Sequence, residues 1–220
     1  MYNINKIVGM LLLLIMLVSC KNKEGQTSRV EALPYYSEAS FTPQWLTPNS
    51  IQVKAFHKIP SFSLTNQEGA SITNKTFDDK IYVADFFFTT CPGICPKMTA
   101  SMSVLQDEFI EDNEVLLLSH SVTPKSDSVS VLKKYAVEKG VISKKWHLVT
   151  GERSEIYDLG RNSYFVEEDL GATKTEEDFL HTENFVLIDE NKHIRGIYNG
   201  LNKTAIQQLI ADIQTLKKEP

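Results

Sequence analysis

A chain of 220 residues suits one domain of ordinary size with some extra segments, and it can bury a core without disulfide staples. Its 42% hydrophobic and 23% charged residues are those of a globular protein, not a disordered one. A net charge of −5 argues against a nucleic-acid binder, which needs a basic face, and three cysteines are too few for a disulfide framework.

The chain opens with Lys6 and an apolar run from Ile7 to Val18, interrupted by Gly9. At about 12 residues the run falls short of the ~18–20 that span a bilayer, and it reads as a secretory leader. Leu17-Val18-Ser19-Cys20 resembles the lipobox of bacterial lipoproteins. That resemblance implies cleavage before Cys20 and a lipid on its thiol and new amine. An ordinary signal peptide or a short uncleaved anchor would share the leader, but would not need a cysteine directly after it. Loss of residues 1–19 removes Lys6 and moves the net charge from −5 to −6. The expected location is the periplasmic side of the cell envelope, lipid-anchored to a membrane.

Residues 20–50 are polar and carry Pro34, Pro43 and Pro48. They read as a lipid-anchored tether that ends by packing Tyr35, Tyr36, Phe41 and Trp45 onto a domain spanning 51–220. Phe62-Ser-Leu-Thr65 and Ser71-Ile-Thr73 flank Asn66-Gln-Glu-Gly69, a hairpin signal. Ile81–Phe88 is a nearly unbroken apolar run, so the spacing predicts a strand covered on both faces, as in a parallel sheet. Met98, Met102, Leu105 and Phe109 predict a helix over Pro92–Phe109. Val115–Leu118 predicts a second buried strand, and Val129, Leu132, Tyr135 and Ala136 predict a helix stopped by Gly140. A strand over Trp146–Val149, a helix over Glu152–Arg161, a hairpin of Phe185–Ile188 with Ile194–Tyr198, and an amphipathic helix over Leu201–Lys218 complete the chain. Strands and helices alternate early, which implies crossover connections and an α/β class. There are no internal repeats. The acidic runs Glu167-Glu-Asp169 and Glu176-Glu-Asp178 read as a solvated loop.

The remaining two cysteines lie in Thr89-Thr-Cys91-Pro-Gly-Ile-Cys95-Pro-Lys-Met98, after a buried strand and at the opening of a helix. Positions i and i+4 share a helix face. Pro92 favours the first helical position, which makes Cys91 the expected cap residue. A thiol there meets unsatisfied N–H groups, and its pKa falls. Such a pair suits redox exchange or metal binding, and a structural disulfide fits the exposed junction poorly.

The run Phe86–Met98 is similar to the cysteine motif of the Sco/SenC family, C-x-x-x-C-P. The similarity extends to Ile59–Gly69, to Ser119–Pro124 with Val131–Tyr135, and to His181–Asp189, about residues 51–215 in all. It implies a thioredoxin-like fold with an N-terminal β-hairpin extension and a C-terminal β-hairpin and helix. It also implies a copper-binding protein that helps build the dinuclear copper centre of cytochrome c oxidase. Cys91, Cys95 and His181 then become the ligands of Cu(I) or Cu(II). The partner becomes the copper-accepting oxidase subunit or another envelope copper protein. Two thiolates and an imidazole do suit copper, and zinc with an added water would accept the same set.

The competing reading is a thiol-disulfide oxidoreductase with Cys91 and Cys95 as its redox pair; a peroxidase-like thiol enzyme is a further variant. Three residues between the thiols, and no proline within Phe179–Glu183, favour the metal site. His120, Asp85 and Glu183 are candidates for supporting groups around it. Met98 fits the helix core, His147 a satisfied buried histidine, and His57 and His193 surface or strand positions. Two departures from the commoner family pattern stand out: Leu180 precedes His181 where many members have Asp, and Val122-Thr-Pro124 replaces Asp-Pro.

Overall fold

Every side chain of Ile81–Phe87 is buried, and this strand (β3) is the middle of the molecule. In the computed structural model, which describes residues 27–167 and 179–219, it lies between a parallel neighbour, Val115–Ser121 (β4), and an antiparallel one, Asn184–Ile188 (β6). The leader, Cys20 and most of the acidic loop lie outside the described residues. Beyond β4 come Trp146–Thr150 (β5) and the hairpin Ser63–Asn66 (β1) with Ser71–Thr73 (β2); beyond β6 comes Ile194–Asn199 (β7). The seven-stranded order is β2-β1-β5-β4-β3-β6-β7. The expected α/β class and both hairpins are present.

Strand alternation divides the core in two. One face carries Val83, Phe87, Leu117 and Leu148 against the helices Cys95–Glu108 (α2), Val129–Lys139 (α3) and Lys203–Leu216 (α5). The other carries Tyr82, Ala84, Phe86, Leu118 and Val186 against Ile156 and Tyr164, from Arg153–Asp158 (α4) and the turns after it. Ser128 caps α3, and Gly140 ends it at φ 69°, a left-handed position that glycine adopts without a Cβ penalty. Asn202 caps α5 by accepting from Thr204 and Ala205.

Three features depart from the sequence reading. A four-residue helix, Ile51–Lys54 (α1), opens the domain. β4 continues three residues past Leu118 through Ser119, His120 and Ser121, because partners inside the fold satisfy the two serine hydroxyls. Helix α2 starts at Cys95, not Pro92. A helix begun at Pro92 would hold Pro96 in its interior, with no N–H and a ring against the carbonyl four residues back; started at Cys95, Pro96 falls in the tolerant first turn.

The segment before α1 is partly docked. Leu33 and Tyr35 are buried, Tyr35 bridges Gln44, and the Tyr36 N–H donates to the Ile194 carbonyl at the outer edge of β7. Trp45 does not pack down as expected; it stays 63% exposed.

Candidate metal centre

Cys91 lies in the turn leaving β3, its N–H donating to the Phe88 carbonyl, and Cys95 is the first residue of α2. Both thiols are unbridged and buried, at 9% and 4% exposure. Cys91 is therefore not a helix cap, but it gains the N–H contacts expected of one. Burial pushes its thiol up; hydrogen bonds from the Cys95 thiol and the N–H groups of Cys95, Gly93 and Ile94 outweigh this, and its pKa falls below the ordinary value. Cys95 goes the other way. Burial, its hydrogen bond to Cys91 and the neighbouring Cys91 and Asp85 charges push it up to about 12, against a backbone hydrogen bond to Phe88. The pair thus has one readily ionised sulfur and one that holds its proton.

A buried carboxylate fixes the loop that carries Cys91. Asp127 accepts from the Thr89 N–H (3.2 Å), the Thr89 hydroxyl (2.6 Å), the Ser121 hydroxyl (2.6 Å) and the Thr123 hydroxyl (3.0 Å). It ties the turn after β3 to the turn after β4. The sequence reading passed over it; a polar Ser-x-Thr-x-x-x-Asp run after a buried strand was the available signal.

His181 stands apart. It is exposed, between buried Leu180 and buried Thr182, and its N–H faces the Glu167 carboxylate at 3.4 Å. Thr182 donates to the Val166 carbonyl at 2.6 Å. Phe179, two residues before His181, sets its ring edge-on to Phe88 at 5.3 Å, so the histidine segment touches the cysteine loop. Among the described residues no three His, Cys, Asp or Glu side chains converge closely enough to hold a metal ion. The two thiols meet because three residues of one turn join them; the imidazole comes from a distant segment and is not gathered in.

The supporting candidates sort by sheet face. Asp85 shares the thiol face, accepting from Ser119, which in turn accepts from the Trp146 indole at 2.8 Å. Burial raises Asp85 to about 7, despite the Ser119 hydrogen bond. His120 is on the opposite face, contrary to a place near the thiols: it stacks on Phe86 at 4.5 Å, and burial lowers it to about 4. Its position is even where Ser119 is odd, and strand alternation decides the side. Glu183 faces Asn199 at 3.4 Å rather than His181. Leu180 is a buried plug, so nothing ionic orients the imidazole from that position. Met98 sits in the core, His147 faces Asn66, and His57 and His193 bond to the Ser163 and His57 carbonyls.

A family model described as SCO1/SenC matches residues 52–218. The chain belongs to the SCO1/SenC family. A SCO1/SenC family lipoprotein from Bacillus anthracis str. Ames is 30% identical, with a TM-score of 0.64 over 74% of this chain and 96% of that one. BsSco, a member of the Sco family of cytochrome c oxidase assembly proteins in which a disulfide switch has been identified, is 28% identical, with a TM-score of 0.60 over 74% and 95%. ScoI of Arabidopsis thaliana, solved with copper bound, is 27% identical, with a TM-score of 0.56 over 70% and 97%. The thioredoxin-like fold expected from the cysteine motif is the fold of this family. No helix among the described residues is long and apolar enough to cross a membrane.

Proposed function

We propose that this chain is a lipid-anchored copper carrier of the cell envelope, which takes copper on Cys91, Cys95 and His181 and serves the assembly of cytochrome c oxidase. Residues 1–19 are its leader, 20–50 its tether from a lipidated Cys20, and 51–220 its copper-carrying domain. The observation that carries the proposal is the unbridged pair of unlike thiols at the open end of the sheet. Family membership, a copper-bound relative and a lipoprotein relative support it.

Copper is cargo here, so the site must both load and release it. Cys91 offers a sulfur that ionises readily; Cys95 gives up its proton as the metal arrives, which couples loading to pH. Two soft thiolates favour Cu(I). His181, on a separate segment that touches the cysteine loop through Phe179 and Phe88, closes on the thiols when copper is bound. A ligand that arrives from a second segment can also leave, as handover requires.

The same difference in acidity favours a second reading, thiol-disulfide exchange. The Cys91 thiolate would attack a target disulfide and release one target thiolate. Cys95 would then lose its proton and attack the mixed disulfide, leaving a Cys91–Cys95 disulfide and a reduced target. Copper titration of the reduced, purified domain with X-ray absorption separates the readings. One copper per chain with two sulfur neighbours and at least one nitrogen supports the carrier, with binding greatly weakened in Cys91→Ser, Cys95→Ser and His181→Ala. Undiminished affinity in His181→Ala removes that ligand. Rapid reduction of a test disulfide, with no copper bound, moves the assignment to exchange.

A further inference from the structure

If Cys20 carries the lipid, only residues 21–26 separate it from the first described residue, Thr27. Seven chain steps reach at most ~25 Å at about 3.6 Å each. The domain is therefore held against the bilayer, and the surface near the chain's entry faces lipid first. That surface is built from residues 30–54, and it is not a loose strand. Leu33, Tyr35 and Val53 are buried; Leu33 donates its N–H to Glu219, and Arg195 holds the Leu33 and Pro34 carbonyls.

Fastened in this way, the segment still turns apolar side chains outward. Trp45 is 63% and Ile51 84% exposed. Phe41, by contrast, is half-buried in the Glu38–Phe41 turn, at φ 55°, a left-handed conformation that a bulky side chain rarely adopts. Residues 30–54 carry Glu31 and Glu38 against Lys54, so the stretch is not cationic. Tryptophan is the side chain that best suits the boundary between headgroups and acyl chains, with an apolar body and one polar N–H.

We infer that the lip formed by Trp45 and Ile51 rests in the lipid interface and holds the domain against the membrane. This rests on the lipidated Cys20 proposed above. Asn49 and Val53, beside Ile51, line a cavity with Ile81, where β3 begins, and with Asp189, at the β6–β7 turn. Cys91 and Cys95 lie past the other end of β3.

The chain contains its own reporter. Its two tryptophans are Trp45 and Trp146, and Trp146 is buried with its indole N–H bonded to Ser119. The full, processed chain is mixed with vesicles of phosphatidylethanolamine and phosphatidylglycerol, with and without brominated acyl chains. Flotation and the mass of the mature N-terminus are measured beside the fluorescence. The expected result is co-flotation, a blue shift, loss of acrylamide quenching and quenching of most Trp45 emission by brominated lipid. High salt leaves these unchanged, and Ile51→Ser weakens them while flotation persists. Flotation with Trp45 still open to acrylamide overturns the lip and leaves the lipid anchor standing. A blue shift that grows with protein concentration in the absence of vesicles overturns it in favour of a second copy. An unlipidated Cys20 overturns both.

Discussion

Asp85 and His120 sit one position apart in register across β3 and β4, and they pull stability in opposite directions with pH. His120 drops from 6.5 to about 4 on burial. Its neutral form is favoured by folding, so its contribution is present above pH 6.5 and lost as pH falls toward 4. Asp85 rises from 3.8 to about 7. Its neutral acid is favoured by folding, so the protein loses stability as pH rises from 3.8 through 7. At about 1.4 kcal/mol for each pH unit of displacement, each effect is on the order of 3–4 kcal/mol, and the two nearly cancel. Urea unfolding near pH 4.5 and near pH 7 separates them. Relative to the parent, His120→Leu loses stability between the acidic and the neutral condition, and Asp85→Asn gains it. The same sign in both variants would refute this account. Asp127 bears on chemistry rather than on the pH curve. Asp127→Ala strips four donors of their acceptor, three of them within the two turns at the open end of the sheet. The Thr89 turn then no longer holds Cys91 against the N–H groups of Gly93, Ile94 and Cys95. The midpoint of the Cys91 alkylation rate against pH moves up toward that of an ordinary thiol, and Asp127→Asn, which keeps one acceptor oxygen, moves it less.

β3, α3 and α5 announced themselves because each is written in local terms: an apolar run, a helical stripe with a Gly stop, an amphipathic stripe. The end of β4 was hidden because Ser119 and Ser121 look like a turn until Asp85, Trp146 and Asp127, which are distant from them or lie past a loop, are folded against them. The thiol pair was legible for the same reason as α3, since one short segment makes it. The surroundings of His181 were not, because three segments build them. Leu180 looked like a missing carboxylate and is a plug. It packs where a π-helical turn, Leu159–Ser163, presents Gly160. A Cβ on Gly160 would lie 2.7 Å from Leu180 and 3.0 Å from Phe86. Gly160→Ala therefore pushes on the residue before His181 and on the strand leading to Cys91, at a cost of about 1–3 kcal/mol. It also weakens copper binding. Gly140→Ala is the control: its φ of 69° makes alanine strained, at roughly 1 kcal/mol, but a Cβ there meets open space. Copper affinity is unchanged in it. Equal copper loss in the two variants would mean that general destabilisation, not the Leu180 contact, is being read.

The stable unit is larger than the segment from 51 onward that hydrophobic periodicity marks out. Arg195, 3% exposed near the start of β7, joins both ends of the chain. Its guanidinium bonds the Leu33 and Pro34 carbonyls, Asp189 at 3.3 Å and Glu219 at 2.6 Å, and lies 4.0 Å over the Tyr35 ring. One cation therefore serves two buried carboxylates and two backbone oxygens, and each is costly to leave without a partner. Arg195→Leu strands Asp189 and Glu219 together and lowers stability by about 3–5 kcal/mol. A chain beginning at residue 51 loses the Leu33, Pro34 and Tyr35 contacts and uncovers the edge of β7 that Tyr36 caps, so it is also less stable. The two losses overlap. In the shortened chain Arg195 has already lost half its partners, and Arg195→Leu costs less there than in the chain that retains residues 27–50. A thermodynamic cycle of the two changes, measured by urea unfolding, gives a coupling of about 1–3 kcal/mol if the staple is one unit. Strict additivity would mean that the entry segment is held by the β7 edge alone, and that its outward-facing aromatic lip is free to move relative to the thiols.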